Sequence, residues 1–342
     1  MVIKISVIIP VYNTGNVLKR TVKSILSQSF TEVEVLLMND GSTDQKTLQI
    51  CNELSKKDTR ITVYNNENQG IEKTRLAGIQ KAKGKYFMFL DHDDVYLKNA
   101  LHLLWNNAEN HQADIVIAKA KHQIFPGIYS PSTVHFPMHE TVLSKEEFLK
   151  KWYLNFFGVN FFDVATWAKL YKTEMMKKNK IQTLGFNFME DVILNAQLFL
   201  QVEKIMFIPH VIYKQYYGGL SSKNNPKTTL QGYLNTYPYR KKWLEQNGLA
   251  SQVKYLHFEI KNVIIQVFQK WIEYEGDFDG FYEISEWIRK HSSFLEALEN
   301  IQNDFWMKNI IDGEHNLNYQ LLLKENNSAK RKIKKLLKKI IS

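Results

Sequence analysis

Between Ile3 and Leu90, apolar and β-branched runs alternate with amphipathic stretches, an order that few folds accommodate. Ile3–Ile9, Val33–Met38, Ile61–Tyr64 and Tyr86–Leu90 read as strands, and near-continuous apolar character is expected of parallel strands covered on both faces. Between them lie three helical segments. The first runs from Asn16, its expected N-cap, to about Gln28 with Val17, Thr21, Ser24, Ile25 and Gln28 as its stripe. The second carries Leu48, Cys51 and Leu54, with Ser42 available as its cap. The third covers Ile71–Ala82 and is stopped by Gly84. The alternation predicts an α/β fold, a mostly parallel sheet flanked by helices. Right-handed crossovers bring the loops after the strands to one edge of the sheet. Tyr12, Asp40, Asn68 and Asp91 are therefore expected to converge.

Regular alternation fades after a helix over about Leu97–Asn110 and a strand near Asp114–Ala118, and residues 119–140 read as irregular strands and loops. Ser144-Lys-Glu-Glu147 is a capping box. Thr173 reads as the cap of a short basic helix, Glu190-Asp191 open another, and Ile205–Tyr217 reads as one or two strands. Beyond about Asn225 the chain turns to amphipathic helices, roughly Leu230–Gln246, Gln252–Tyr274 and Tyr282–Ile288. The expected division is 1–222 as a catalytic-type α/β domain, 223–325 as a helical module and 326–342 as a tail.

Composition excludes several classes. A single cysteine, Cys51, removes any disulfide framework or Cys-based zinc site, and the scattered histidines lack metal-ligand spacing. The N-terminal apolar run is broken at Pro10, too early for a signal peptide, and no stretch approaches the ~20 apolar residues of a spanning helix. The expected location is cytoplasmic. Of the net charge of +10, seven positive charges lie in residues 328–342 with no acid, leaving +3 for the rest. There Ile333, Leu336, Leu337, Ile340 and Ile341 form one helical face and lysines the other. This is a helix suited to an anionic membrane surface, peripheral at its inner face. An oligomerisation helix or a solubilising tail would also explain it, and the helical module could support a homo-oligomer. No RNA- or DNA-binding module accompanies the charges, so nucleic acid is not an expected partner.

The fourth strand breaks off into Asp91-His92-Asp93-Asp94. Carboxylates at the carboxyl end of a buried strand occupy the crevice where open α/β sheets bind ligands. Such hard oxygen donors suit Mg²⁺ or Mn²⁺, which take much of their shell from water and substrate phosphates. An acidic turn capping the next helix is the other reading. His92, between them, points away by side-chain alternation. Asp40 ends the second strand, where it could accept hydrogen bonds from a base or ribose or simply close an Asx turn. Glu190 and Asp191 could supply a general base, or be first-turn acids favoured by the helix dipole, and as neighbours only one should face a given site. Trp152, Trp167 and Tyr216 could stack on sugar rings. No Gly-x-Gly-x-x-Gly, P-loop or Gly-x-Ser-x-Gly is present.

Ser6-Val-Ile-Ile-Pro-Val-Tyr-Asn13, Asn39-Asp-Gly-Ser-Thr-Asp44, Asn68-Gln-Gly70 with Arg75, and Leu90-Asp-His-Asp-Asp94 together resemble the inverting family 2 glycosyltransferases of the GT-A fold, over roughly residues 1–222. Trp167-Ala-Lys-Leu-Tyr171 and Glu190-Asp191 are similar to later motifs of bacterial capsule and cell-wall members. The resemblance implies that Pro10, Tyr12 and Asp40 border the uracil and ribose of a UDP-sugar donor, with Asn68 and Gly70 in the same nucleotide loop and Arg75 near the base or phosphates. It implies that Asp91 and Asp93 hold Mn²⁺ or Mg²⁺ on the diphosphate, Asp93 more directly, and that Asp191 is the catalytic base beside Glu190. A saccharide, a teichoic-type polymer, a protein or a lipid-linked sugar would be the acceptor. One departure is that relatives carry Arg or His near position 216, where this chain reads Tyr216-Tyr-Gly-Gly-Leu-Ser-Ser222. Lys214 or Lys223 would then steady the diphosphate, or the metal would do so alone. A nucleotidyltransferase, or a non-catalytic membrane- or polymer-binding scaffold, is the alternative class.

Overall fold

A computed structural model describes residues 2–125, 128–131, 136–151, 165–178, 181, 183–185, 189–216, 226–274, 277–298 and 304–326. The described residues fall into two compact units, one within 1–222 and one within 223–342. Trp152, Lys223 and the basic tail of 328–342 lie outside the described residues.

In the first unit, β1 (Ile5–Val11), β2 (Val33–Asp40), β3 (Ile61–Asn66) and β4 (Tyr86–Phe89) form a parallel array in the order β3-β2-β1-β4. Every residue of β1, β2 and β4 is buried, as strands covered on both faces must be. The crossovers are α1 (Val17–Leu26), α2 (Gln45–Lys57) and α3 (Ile71–Lys81). A Cβ on Gly78 of α3 would meet Ile8 Cγ2 at 2.4 Å, so only glycine lets this helix lie so close to β1.

The stripe of α1 differs from expectation. Its buried residues are Leu18, Thr21, Val22 and Ile25, and Val17 is exposed. Asn16 stands at the N-cap position in helical conformation without a side-chain cap bond. Ser42 does not cap α2 either; Asp44 does, accepting from the N–H groups of Lys46 and Thr47 at 3.0 and 3.1 Å.

The other half of the sheet is mixed. After β5 (Val95–Tyr96) and α4 (Ala100–His111), β6 (Ile115–Phe125) extends into the first part of the segment expected to hold irregular strands and loops, and pairs with β7 (Ile128–Pro131) with a shift of register between Gln123 and Phe125. β8 (Thr141–Ser144) leads into α5 (Lys145–Lys151), where the capping box forms as expected, Ser144 N–H reaching Glu147 Oε2 at 2.8 Å. β9 (Lys169–Lys172) then enters antiparallel between β4 and β6. After α6 (Thr173–Lys178) and α7 (Glu190–Phe199), β10 (Lys204–Gln215) runs parallel to β6. The full order is β3-β2-β1-β4-β9-β6-β10-β5.

The second unit contains α8 (Pro226–Gln246), α9 (Val253–Tyr274), α10 (Phe278–Lys290), α11 (Ser292–Leu298), α12 (Phe305–Ile311) and α13 (His315–Asn326). Between α8 and α9 lies a buried ion pair, Arg240 to Glu259 at 2.5 Å, with side chains 1% and 2% exposed. Removing one partner strands a buried charge, so Arg240→Met is expected to cost about 3–5 kcal/mol. Arg240→Met/Glu259→Leu should recover most of that loss, and urea unfolding of both variants checks it.

No helix among the described residues is long and apolar enough to cross a membrane.

Candidate active site

The loops after β1, β2 and β3 are stitched to one another by backbone groups. Asp40 accepts from the N–H groups of Gln69 at 2.8 Å and Gly70 at 3.1 Å, one with each carboxylate oxygen, and is 6% exposed. The Asx-type turn belongs instead to Asn39, whose Oδ1 accepts from Ser42 N–H at 3.1 Å. Gly41, at φ +68°, could not carry a Cβ, which would lie 2.6 Å from the Asn68 nitrogen. Glycine there is what lets the second and third loops touch. Asn13 bridges from the first loop, its Oδ1 accepting from Thr43 and Asp44 N–H at 2.9 and 3.0 Å. Tyr12 and Asn68 stand exposed at this rim, and Pro10 is buried in β1.

The acids after β4 divide into different environments. Asp94 is 1% exposed and accepts from Tyr213 Oη–H and Tyr216 N–H, both at 2.8 Å. Burial, reinforced by the charge of Asp91, pushes its carboxyl up to about 8. Asp94 thus ties the loop to β10. Thr21 Oγ1 donates to the carbonyls of His92 and Asp94 at 2.7 and 2.9 Å, and Arg20 Nη2 to the carbonyl of Asp93 at 2.5 Å. The carboxylate of Asp93 has no hydrogen-bond or ion-pair partner among the described residues.

Arg75, on α3, joins the acidic groups. Its side chain is 4% exposed, and its fork spans Asp91 Oδ1 at 3.0 Å through Nη2 and Asp191 Oδ1 through Nη1, with Glu190 Oε1 at 3.5 Å. Burial opposes the guanidinium charge, but Asp191, Asp91 and Glu190 outweigh it and hold its proton more tightly than in free arginine. Glu190 is pushed up to about 7, by burial and then by the charge of Asp191. Asp191 is also raised, burial prevailing over Arg75. Glu190 and Asp191 both reach the Arg75 guanidinium, and Glu190 but not Asp191 also lines a small cavity with Glu72, Leu76, Ile181 and Leu194.

Thr166 Oγ1 donates to Asp191 Oδ1 at 3.2 Å. The contacts of Asp191 and Asp91 therefore fall on one oxygen of each carboxylate, leaving Oδ2 of each without a partner among the described residues.

Asp91 and Asp93 offer two hard oxygen donors at the strand end, and no cluster of three metal-ligating side chains occurs among the described residues. This donor set fits Mg²⁺ or Mn²⁺ shared with a substrate diphosphate, as opposed to a cation caged by protein alone.

Trp167 is not available to a sugar. It is 4% exposed and stacks on Tyr213 at 4.7 Å with 6° between the planes. Tyr216 lies beneath the Arg20 guanidinium at 3.7 Å, and Lys214 lies between Tyr216 and Tyr129. Thr166, Tyr213, Thr21 and Arg20 had no local sequence signal, since each acts on a residue at least 25 positions away.

The family model described as Glycosyl transferase family 2 matches residues 6–178. Glycosyltransferase GlyA of Streptococcus pneumoniae serotype 4 is 30% identical over 213 residues, covering 61% of this chain and 30% of the relative. Cholesterol galactosyltransferase of Borreliella burgdorferi is 29% identical over 225 residues, covering 64% of this chain and 62% of that one. The chain thus spans less than two thirds of either relative. Among solved structures, S. aureus TarS 1–349 in complex with UDP-GlcNAc superposes with a TM-score of 0.70 at 20% identity, covering 94% of this chain and 91% of that one. That likeness shows the fold, which is GT-A. The family match runs unbroken from β1 through the acidic loop after β4 to α6, and on that extent this chain belongs to glycosyltransferase family 2.

Proposed function

We propose that the protein is an inverting glycosyltransferase that moves a sugar from a UDP-sugar to a hydroxyl of a saccharide, polymer or lipid-linked acceptor in cell-surface glycan synthesis. The nucleotide lies along the loops of β1 to β3, bordered by Pro10, Tyr12, Asp40, Asn68 and Gly70. Asp93, with Asp91, would hold a divalent metal at the donor diphosphate. When bound, that metal offsets the charge that builds on the UDP leaving group.

Asp191 takes the proton of the acceptor hydroxyl as its oxygen attacks the anomeric carbon and the bond to UDP breaks. A single displacement inverts the anomer. The observation that carries this assignment is the division of labour within the Asp191 carboxylate. Oδ1 is held by Arg75 and Thr166, which fix the orientation of the group, and Oδ2, without a partner among the described residues, is available for a proton. Arg75 reaches Asp91 with the other arm of its fork and so sets the base against the donor loop. Glu190, close to the same guanidinium, adjusts the charge of the cluster.

UDP-GlcNAc is the first donor to test, given the complex of the TarS neighbour. A panel of UDP-, GDP- and dTDP-sugars with Mn²⁺, read by thermal stabilisation and slow donor hydrolysis, tests the proposal. The expected result is a response to UDP-sugars alone. Silence toward every nucleotide sugar would reject it in favour of a non-catalytic scaffold.

A further inference from the structure

A strip of cations and aromatic rings runs from α1, past the acidic loop, to β10 and β6 on the far side of β4 from the nucleotide loops. It begins at Arg20, whose guanidinium donates to the Asp93 carbonyl and lies 3.7 Å from the Tyr216 ring centre. Lys214 Nζ lies 4.3 Å from the same ring and 4.7 Å from Tyr129, and Lys121 Nζ lies 4.8 Å from the Tyr129 ring. The order is therefore Arg20, Tyr216, Lys214, Tyr129, Lys121.

Two features set this strip apart from a solvated basic surface. Lys121 and Lys214 are register partners on the adjacent parallel strands β6 and β10, so two like charges stand side by side on one face of the sheet. Like charges so placed repel. Arg20, Lys121 and Lys214 also have no carboxylate partner among the described residues, so no acid there neutralises the paired like charges. The tyrosine rings fix the cations and offset part of the repulsion, and the remaining positive charge calls for oxyanions.

The position of the strip decides which oxyanions. β4, which carries the acidic loop, separates β1, β2 and β3 from β6 and β10 in the sheet. On the proposed reading the nucleotide occupies the first side, and an acceptor approaches from the second. The cations, spaced by the two tyrosines, suit charges repeated along a chain.

We infer that Arg20, Lys121 and Lys214, interleaved with Tyr129 and Tyr216, bind an acceptor chain that carries phosphate or carboxylate groups. The inference rests on the donor assignment for its orientation but not for its test. Binding of poly(glycerol phosphate), oligogalacturonate and neutral dextran is measured by calorimetry at two salt concentrations on the unsubstituted protein, Lys121→Gln and Lys121→Gln/Lys214→Gln. UDP with Mn²⁺ is titrated in parallel, and phosphatidylglycerol vesicles are tested by sedimentation.

The expected result is salt-sensitive binding of an anionic chain, weakened about fivefold by Lys121→Gln and about thirtyfold by the double substitution. Comparison of the two anionic chains tells phosphate from carboxylate. UDP affinity should stay within about twofold in Lys121→Gln. Equal binding of dextran, indifference of the anionic chains to the double substitution, a parallel loss of UDP affinity in Lys121→Gln, or binding to vesicles alone would overturn the inference. Failure of the unsubstituted protein to bind UDP would instead overturn the donor reading and leave the result with the chains standing.

Discussion

Asp191→Asn is expected to lower sugar transfer by about 10²–10⁴-fold, the usual contribution of a positioned general base, while UDP and Mn²⁺ bind as before. Asparagine keeps an oxygen that can accept from Thr166 and Arg75, so the local geometry is retained and what is lost is the basic Oδ2. The pH profile supports the same assignment. Burial raises the Asp191 carboxyl above the ordinary carboxylate range, and a base works only when deprotonated, so the rate should fall as the pH is lowered through that raised value. In Asp191→Asn that acid limb should disappear with the rate. Glu190→Gln provides the control. If it abolishes turnover and Asp191→Asn does not, the proton is taken by Glu190.

Arg75→Met is expected to combine a loss of stability with a loss of activity. The substitution keeps much of the side-chain volume but strands Asp91, Asp191 and Glu190 around an apolar group. Leaving buried charges unpaired costs about 3–5 kcal/mol, and the lower end applies because these carboxylates are each between a fifth and a third exposed. The pH dependence has a definite sign. An acid whose folded pKa is raised destabilises the fold as pH rises from its unfolded value to its folded one, and Glu190 is already pushed up to about 7 with Arg75 in place. Without the cation the Glu190 and Asp191 carboxyls rise further, so the stability gap to the unsubstituted protein should narrow as pH falls from 8 toward 5. Urea unfolding across that range measures it. A gap independent of pH would mean that Arg75 acts through packing alone.

The parallel half of the sheet is legible because its inner strands β1, β2 and β4 are buried on both faces and announce this residue by residue, with only the edge strand β3 partly exposed. The antiparallel insertions are not legible. β5 has two residues and β9 four, too few for a period, and both exist only through their partners on β4, β6 and β10. Of the stripe expected for α1, Thr21 and Ile25 are buried as expected, whereas Leu18 and Val22 are buried and Val17 is exposed.

The candidate site divides in the same way. The acids and glycines of the loops stand out locally, since turn chemistry and clustered charge are visible in short windows. Their separate roles do not. Asp91, Asp93 and Asp94 look alike in sequence, yet one pairs with Arg75, one stands open and one is buried against Tyr213. Those distinctions come from contacts 16 to 122 residues apart.

Titration of UDP by calorimetry, with and without Mn²⁺, on the unsubstituted protein and on Asp93→Ala, bears most directly on the account that a divalent metal at the β4 strand end holds the donor diphosphate. The account predicts that Mn²⁺ strengthens UDP binding by about tenfold or more in the unsubstituted protein and that Asp93→Ala removes this gain. An affinity for UDP that is the same with and without Mn²⁺, or the same in both proteins, would contradict it.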